Sequence, residues 1–423
     1  MADDLLTQIA PAKLNALVAL LDNKRPKAAL AAEAELSLLW AISRVAHIEV
    51  EPKLPNSSHR PDVFSRDLFV STNCVVEIRA LSDDSFSGQE AMDHTAEIVA
   101  NYADRFQKRA SDHLYFEFAD RSYWDTKFRR ERCVDPNFEL SCSARLLLRD
   151  WIRTARHSPP APLRISEGKT NVLISWRPSV SKHARTFCSM PPVAYDLEKN
   201  PIYTALKKKR RQVSGASQGT LRCIFLFDAG CSLLRHLKPT MMGTNEISGA
   251  EIIHHALRKL SVDLVCVFSP SSGNHLPYSS SPRWKVTCFD KRENMDSREY
   301  HRLNELSSRL PAPQFEGYQA RSIHAQGGFH PQKSWYLGTK LTTGLTTMTI
   351  SLSSRLLQDY LAGRIDKDTY EHHAFGDMKN PFEAELSGGL TIQAVKFESG
   401  GLDDDDDHIV FDLALDPGAG RIQ

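Results

Sequence analysis

"HRPDVFSRDLFVSTNCVVEIRAL", residues 59–81, carries two apolar runs in succession, the first preceded by Pro61 and Asp62 and the second interrupted by Glu77 and Arg79. Successive strand side chains point to opposite faces, so in CVVEIRAL Val76, Ile78 and Ala80 share one side while Val75, Glu77 and Arg79 share the other. One face packs and the other presents charge. Asp62 and Glu77 fall at the adjacent ends of two neighbouring strands, and carboxylates brought together there repel unless a cation neutralises them. A hard divalent ion, Mg2+ or Mn2+, is the natural partner, with Arg79 on the same face available to negatively charged phosphate oxygens.

The flanking text reads as α/β. Residues 27–46, KAALAAEAELSLLWAISRVA, combine strong helix formers with Leu38, Leu39, Ile42 and Val45 on one helical face. IEVEPKL (48–54) alternates like a half-buried strand until Pro52, 88–109 reads as a long helix, and HLYFEFA (113–119) as a strand. Further on, a helix is expected over 142–156, then the strand NVLISWRP, then a helix opened by Asn200-Pro201, a cap followed by a first-turn proline. Strands over 221–230, 262–270 and 283–290, with a helix over 247–260, continue the rhythm. Helices between strands predict a mixed, largely parallel sheet covered on both faces. After about residue 320 the text turns Thr- and Gly-rich, and a β-rich part is expected, with one helix near 352–362 and the strand pair LTIQAVKF and HIVFDLAL.

Composition narrows the class. The chain has 423 residues, 41% hydrophobic and 25% charged, with a formal net charge of +1, which suits a globular protein of two or three domains. Eight cysteines stand at scattered positions with no C-x-x-C pair, so neither a zinc knuckle nor a disulfide framework is signalled and a reducing compartment fits. MADDLLTQIA lacks the basic and apolar regions of a signal peptide, and no apolar run approaches the roughly 18 residues of a membrane span. The expectation is a cytoplasmic protein with no membrane role.

Pro61-Asp62 and Glu77-Ile78-Arg79, preceded by a helix that carries an acid, resemble the restriction-endonuclease-like superfamily of PD-(D/E)xK nucleases. The resemblance covers roughly residues 25–120 and departs from the family pattern at Arg79, where a lysine is usual. It implies an α-β-β-β-α-β core, a Mg2+- or Mn2+-dependent nuclease acting on DNA, with RNA left open, and a metal held by Asp62 and Glu77 with support from Glu35. Glu35 is chosen over Glu33 because it shares a helical face with Leu38, Leu39 and Ile42. Arginine keeps the positive charge but cannot act as a base, so Arg79 would stabilise developing charge, with Lys53 or Gln89 as substitutes for the missing lysine. Nuclease cores with added regions occur in bacterial anti-phage and mobile-element proteins, which sets the expected context. The alternative is a nuclease-like scaffold that binds nucleic acid or assembles with partners without cleaving.

Nucleic acid also needs basic surface. Lys207, Lys208, Lys209, Arg210 and Arg211 follow Ile202, Ala205 and Leu206 on one helix, so most of these cations lie opposite the apolar stripe, and Lys207, Lys208, Arg210 and Arg211 are candidate phosphate contacts. Arg129 and Arg130 in KFRRER (127–132), beside Tyr123 and Trp124, form a second candidate. His254-His255 and His372-His373 are adjacent pairs whose side chains diverge, which disfavours a shared metal. Asp403 to Asp407 read as a solvated acidic loop, and the Asp228-Gly230 end of FDAGCSLL as a turn. The expected division is a nuclease-like core over 1–160, an additional α/β region over 161–315 and a β-rich part over 316–423, with a homo-oligomer or an accessory protein as potential partners.

Overall fold

The computed structural model describes all residues except 22–25, 55–57, 71, 109, 127, 156–159, 178–185, 191, 239–245, 272–282, 293–294, 314–338, 345, 376–378, 401–406 and 417–423. Most of the Asp403–Asp407 run therefore lies outside the described residues. The chain opens with helices α1 (Ala2–Leu5), α2 (Pro11–Leu21) and α3 (Pro26–Ser43), then strands β1 (Glu49–Val50), β2 (Val63–Phe69) and β3 (Thr72–Leu81). Next come α4 (Gln89–Phe106), β4 (Leu114–Phe118), β5 (Asp120–Trp124), β6 (Phe128–Arg132), α5 (Cys142–Ala155), β7 (Leu163–Glu167), β8 (Thr170–Trp176) and β9 (Thr186–Cys188). They are followed by α6 (Pro201–Val213), β10 (Leu221–Asp228), α7 (Ser232–Arg235), α8 (Gly249–Lys259), β11 (Leu264–Ser271), β12 (Arg283–Asp290) and α9 (Ser297–Arg309).

The central element is a six-stranded mixed sheet in the order β1-β2-β3-β10-β11-β12. β1, β2 and β3 run antiparallel, β3, β10 and β11 parallel, and β12 antiparallel to β11. Cys74, Val76 and Ile78 of β3 pack with Leu38, Leu39 and Ile42 of α3 and Leu303 and Leu306 of α9 on one face. On the other, Ile224, Leu226, Val265 and Val267 pack under Ile202 and Leu206 of α6 and Ile252 and Ile253 of α8. The alternation expected in CVVEIRAL is observed, but its charged side is roofed by α6 and Glu77 has no solvent exposure.

Two expectations are corrected. The strand expected from residue 48 to Pro52 is only two residues long, because Glu51 adopts φ 49°, a left-handed conformation that leaves the sheet before the proline is reached. The boundary expected at residue 160 cuts through a second sheet, β7-β8-β4-β9, in which β4 pairs with β8 on the far side of that boundary. HLYFEFA is a strand, yet it joins this second sheet, whose Phe116, Phe118, Val172 and Ile174 pack against Val99 of α4 and Leu148 and Ile152 of α5. Residues 89–188 thus form a lobe inserted between β3 and α6, and the central sheet is completed by strands from the region expected to be a separate domain. A length and a period identify a strand but not the sheet it joins.

Among the described residues the C-terminal part has four strands, β13 (Lys340–Thr343), β14 (Thr347–Ser353), β15 (Leu390–Glu398) and β16 (His408–Leu415), in the order β13-β14-β16-β15. The helix expected near 352–362 is α10 (Ser354–Leu361), joined by α11 (Lys367–Phe375) and α12 (Pro381–Ser387). Met348, Ile350, Leu356, Phe375 and Leu413 form its core. Among the described residues no helix is long and apolar enough to cross a membrane.

Phe225 is fully buried in β10 and its ring lies 5.3 Å from that of Phe268. Phe225→Ala is expected to lower unfolding stability by roughly 3–5 kcal/mol in urea titrations, whereas Trp124→Ala, at a position 73% exposed, should leave the midpoint unchanged.

Candidate functional site

The site forms where β2 begins, β3 passes its middle and α6 crosses above. Asn200 opens α6 by accepting the Tyr203 N–H at 2.8 Å, with Pro201 in the first turn, as expected. Ile202, Leu206 and Val213 are buried along one stripe of that helix, and Lys209 stands three residues after Leu206 and four before Val213. Helical spacing therefore turns Lys209 toward the sheet, while Lys207, Lys208 and Arg211 are exposed and Arg210 is half-buried.

Lys209 reaches both acids. Its ammonium donates to Glu77 Oε2 and lies 3.8 Å from Asp62 Oδ2. Asp62 Oδ2 also accepts the backbone N–H of Ile78 at 2.7 Å, a bond that locks the start of β2 onto the strand carrying Glu77. Burial and the neighbouring Asp62 carboxylate raise the Glu77 pKa from its ordinary 4.5 to about 8, against the downward pull of Lys209. Glu77 therefore keeps its proton at neutral pH. Glu77 Oε1 is buried without a hydrogen-bond partner.

Glu35 is close enough for the Asp62 charge to act with burial in raising its pKa. Its carboxylate is nevertheless engaged by Lys13 at 2.6 Å, and Lys13 also binds Glu51 at 2.8 Å. Among the described residues no three His, Cys, Asp or Glu side chains converge in the spacing of a metal cage. The expected triad is thus a pair, Asp62 and Glu77, flanked by Glu35 and bridged by Lys209. Hard carboxylate oxygens, one of them buried and unpartnered, are the donor chemistry that Mg2+ or Mn2+ prefers.

Arg79 projects from the same face as Glu77, two residues on, and lines an open cleft of about 2270 Å³ between the inserted lobe and the central sheet. Asp62, Glu77 and Lys209 are not part of the cleft wall. The opposite wall includes Arg129, Arg130 and Arg132, but acids also line it, among them Asp93 and Glu131. The arginines of KFRRER are largely neutralised within their own ribbon. Arg130 pairs with Asp120, and Arg129 lies 3.6 Å from Asp125. Trp124 at the ribbon's end is exposed.

Neither substitute named for the missing lysine reaches the acids. Lys53 is exposed, and Gln89 opens α4, where its amide lies 3.4 Å from Asp93. In the sequence Lys209 is one member of a basic run, and its register with Leu206 and Val213 is the signal that distinguishes it. His255 binds Glu198 at 3.1 Å while His254 packs edge-on to Phe289, so the adjacent histidines diverge as expected. Asp228 accepts the Gly230 and Cys231 N–H groups at 2.8 and 2.6 Å, the turn expected there.

No family model, curated protein or solved structure matches this chain.

Glu77 holds a proton in the folded state over a range where the unfolded chain has lost it, so its contribution to stability is complete below pH 4.5 and is lost as pH rises through about 8. Urea denaturation across this range should show a decline that Glu77→Gln flattens. Lys209→Ala should cost about 3 kcal/mol at the alkaline end, where it leaves a buried carboxylate uncompensated, and less at acid pH, where Glu77 is neutral.

Proposed function

We propose that this chain is a metal-dependent nuclease of the PD-(D/E)xK type that hydrolyses DNA phosphodiester bonds. The observation that carries the reading is the meeting of Asp62, Glu77 and Lys209 from three separate elements over the middle of one mixed sheet. Supporting it, the elements α3, β1, β2, β3, α6 and β10 follow the α-β-β-β-α-β order once the inserted lobe is set aside. A lysine arriving from α6 supplies the ammonium that the sequence lacks at Arg79.

Asp62 and Glu77 would hold a Mg2+ or Mn2+ ion, which would supply charge neutralisation at phosphate and a more acidic bound water. The chain's own groups do the rest. Lys209 would direct its ammonium toward a phosphate oxygen placed beside the site, Glu77 would bind the cation in its ionised form, and Arg79 would hold the neighbouring phosphate along the cleft. Lys207, Lys208, Arg210 and Arg211 extend positive charge along α6 for the strand beyond. A second reading, a scaffold that binds nucleic acid or a protein partner without cutting, is favoured by one observation: Lys209 already spans both carboxylates.

The test incubates the purified chain with linear and circular DNA, and with RNA, with and without Mg2+. Cleavage of DNA that requires Mg2+ is expected, abolished in Glu77→Gln and Asp62→Ala and slowed about 100-fold in Lys209→Met, with DNA binding retained. Binding without cleavage by the unmodified chain would select the scaffold reading, and equal cleavage by all variants would discard the site.

A further inference from the structure

Four cysteines stand in a row on one face of the central sheet, on four adjacent strands: Cys74 on β3, Cys223 on β10, Cys266 on β11 and Cys288 on β12. The first three are fully buried, while Cys288 is half-buried. Cys266 and Cys288 are directly opposed in the antiparallel β11–β12 ladder, and their sulfurs lie 3.8 Å apart. Directly opposed residues of antiparallel strands have Cα atoms about 4.5 or 5.5 Å apart, inside the span a disulfide bridges, so side-chain rotation suffices to bring the sulfurs to about 2.0 Å. Cys74 and Cys223 also touch, but parallel pairing sets Cys74 opposite Leu221 and Cys223 opposite Val76, and neither thiol reaches solvent.

We propose that Cys266 and Cys288 form an oxidisable dithiol, a modification site at which a small disulfide oxidant such as glutathione disulfide staples β12 to β11. The half-buried Cys288 is the entry point. Its thiolate attacks one sulfur of glutathione disulfide, forming a mixed disulfide and releasing one glutathione thiolate. Cys266 then loses its proton and attacks the Cys288 sulfur, displacing the second glutathione thiolate. Two protein thiols and one glutathione disulfide thus become one protein disulfide and two glutathione molecules, with electrons and protons balanced. Burial raises the Cys266 pKa, which makes closure the slow step and quickens it as pH rises. Selectivity follows from access together with pairing: Cys142 is exposed and Cys133 and Cys188 are half-buried, but none of the three is opposed to another cysteine in a strand ladder, and Cys74 and Cys223 are closed to the oxidant.

The full-length protein is incubated with glutathione disulfide under native conditions, alkylated, and mapped by peptide mass spectrometry. The expected product is a single internal link between Cys266 and Cys288, seen as a loss of two hydrogens in intact mass and formed faster at alkaline pH. Cys288→Ser should abolish it, Cys266→Ser should stop at a stable glutathione adduct on Cys288, and Cys223→Ser should leave it unchanged. Because the variants alter the packed sheet, the unmodified chain is decisive on its own. A lasting glutathione adduct on Cys288 beside a free Cys266, an untouched Cys288 while Cys142 is modified, or a link that appears only in urea would each overturn the proposal.

Discussion

A carboxyl group with no solvent exposure, Glu77, sets the terms for the surrounding architecture. An isolated charge there would be prohibitively costly, so the fold has to supply a proton, a cation or both. It does so from two directions. Asp62 approaches from the start of β2 and is anchored by the Ile78 N–H, and α6 crosses with its apolar stripe down so that Lys209 arrives where the stripe would otherwise place a leucine. A nonpolar residue at either Glu77 or Lys209 would pack more simply. Retention of both inside a sheet otherwise lined by Ile224, Leu226 and Val267 is the physical reason to look for chemistry at this point.

The inserted lobe explains why the site and the cleft are neighbours without being the same place. The lobe leaves the sheet after β3 and the chain returns at Asn200, so its two junctions adjoin the strand that carries Glu77 and the helix that carries Lys209, and the cleft between lobe and sheet begins at Arg79 and at the first turn of α6. Positive charge on the far wall is largely spoken for by Asp120, Asp125 and Glu131, which makes the exposed cations of α6 the less encumbered surface for a polyanion.

Much of the local structure was legible in the sequence. The helix over 26–43, the face assignment in CVVEIRAL, the cap at Asn200 and the strands over 221–290 all follow from period and capping chemistry. The pairing of Asp62 with Glu77 was legible too, because adjacent antiparallel strands bring Asp62 against β3, although Glu77 lies within that strand and not at its end. Sheet membership was not: HLYFEFA and LRCIFLFDAG have the same pattern, and only a contact across more than a hundred residues decides that the second, and not the first, lies beside β3. Lys209 was masked by its four cationic neighbours, although its phase relative to Leu206 was available. The short β1 escaped because a left-handed Glu51 has no composition signal.

Lys209 lies 132 positions after Glu77, and β3 gains its neighbour on that side only when β10 is made. During synthesis the N-terminal strands therefore wait with one edge of β3 bare while the whole inserted lobe emerges, and an unpaired strand edge is a template for association with other chains. Glu77 and Arg79 are charges on that waiting strand, spaced so that a flat partner strand would have to desolvate both. The same glutamate that is costly to bury in the finished protein thus guards the edge until the helix bearing its counter-charge arrives.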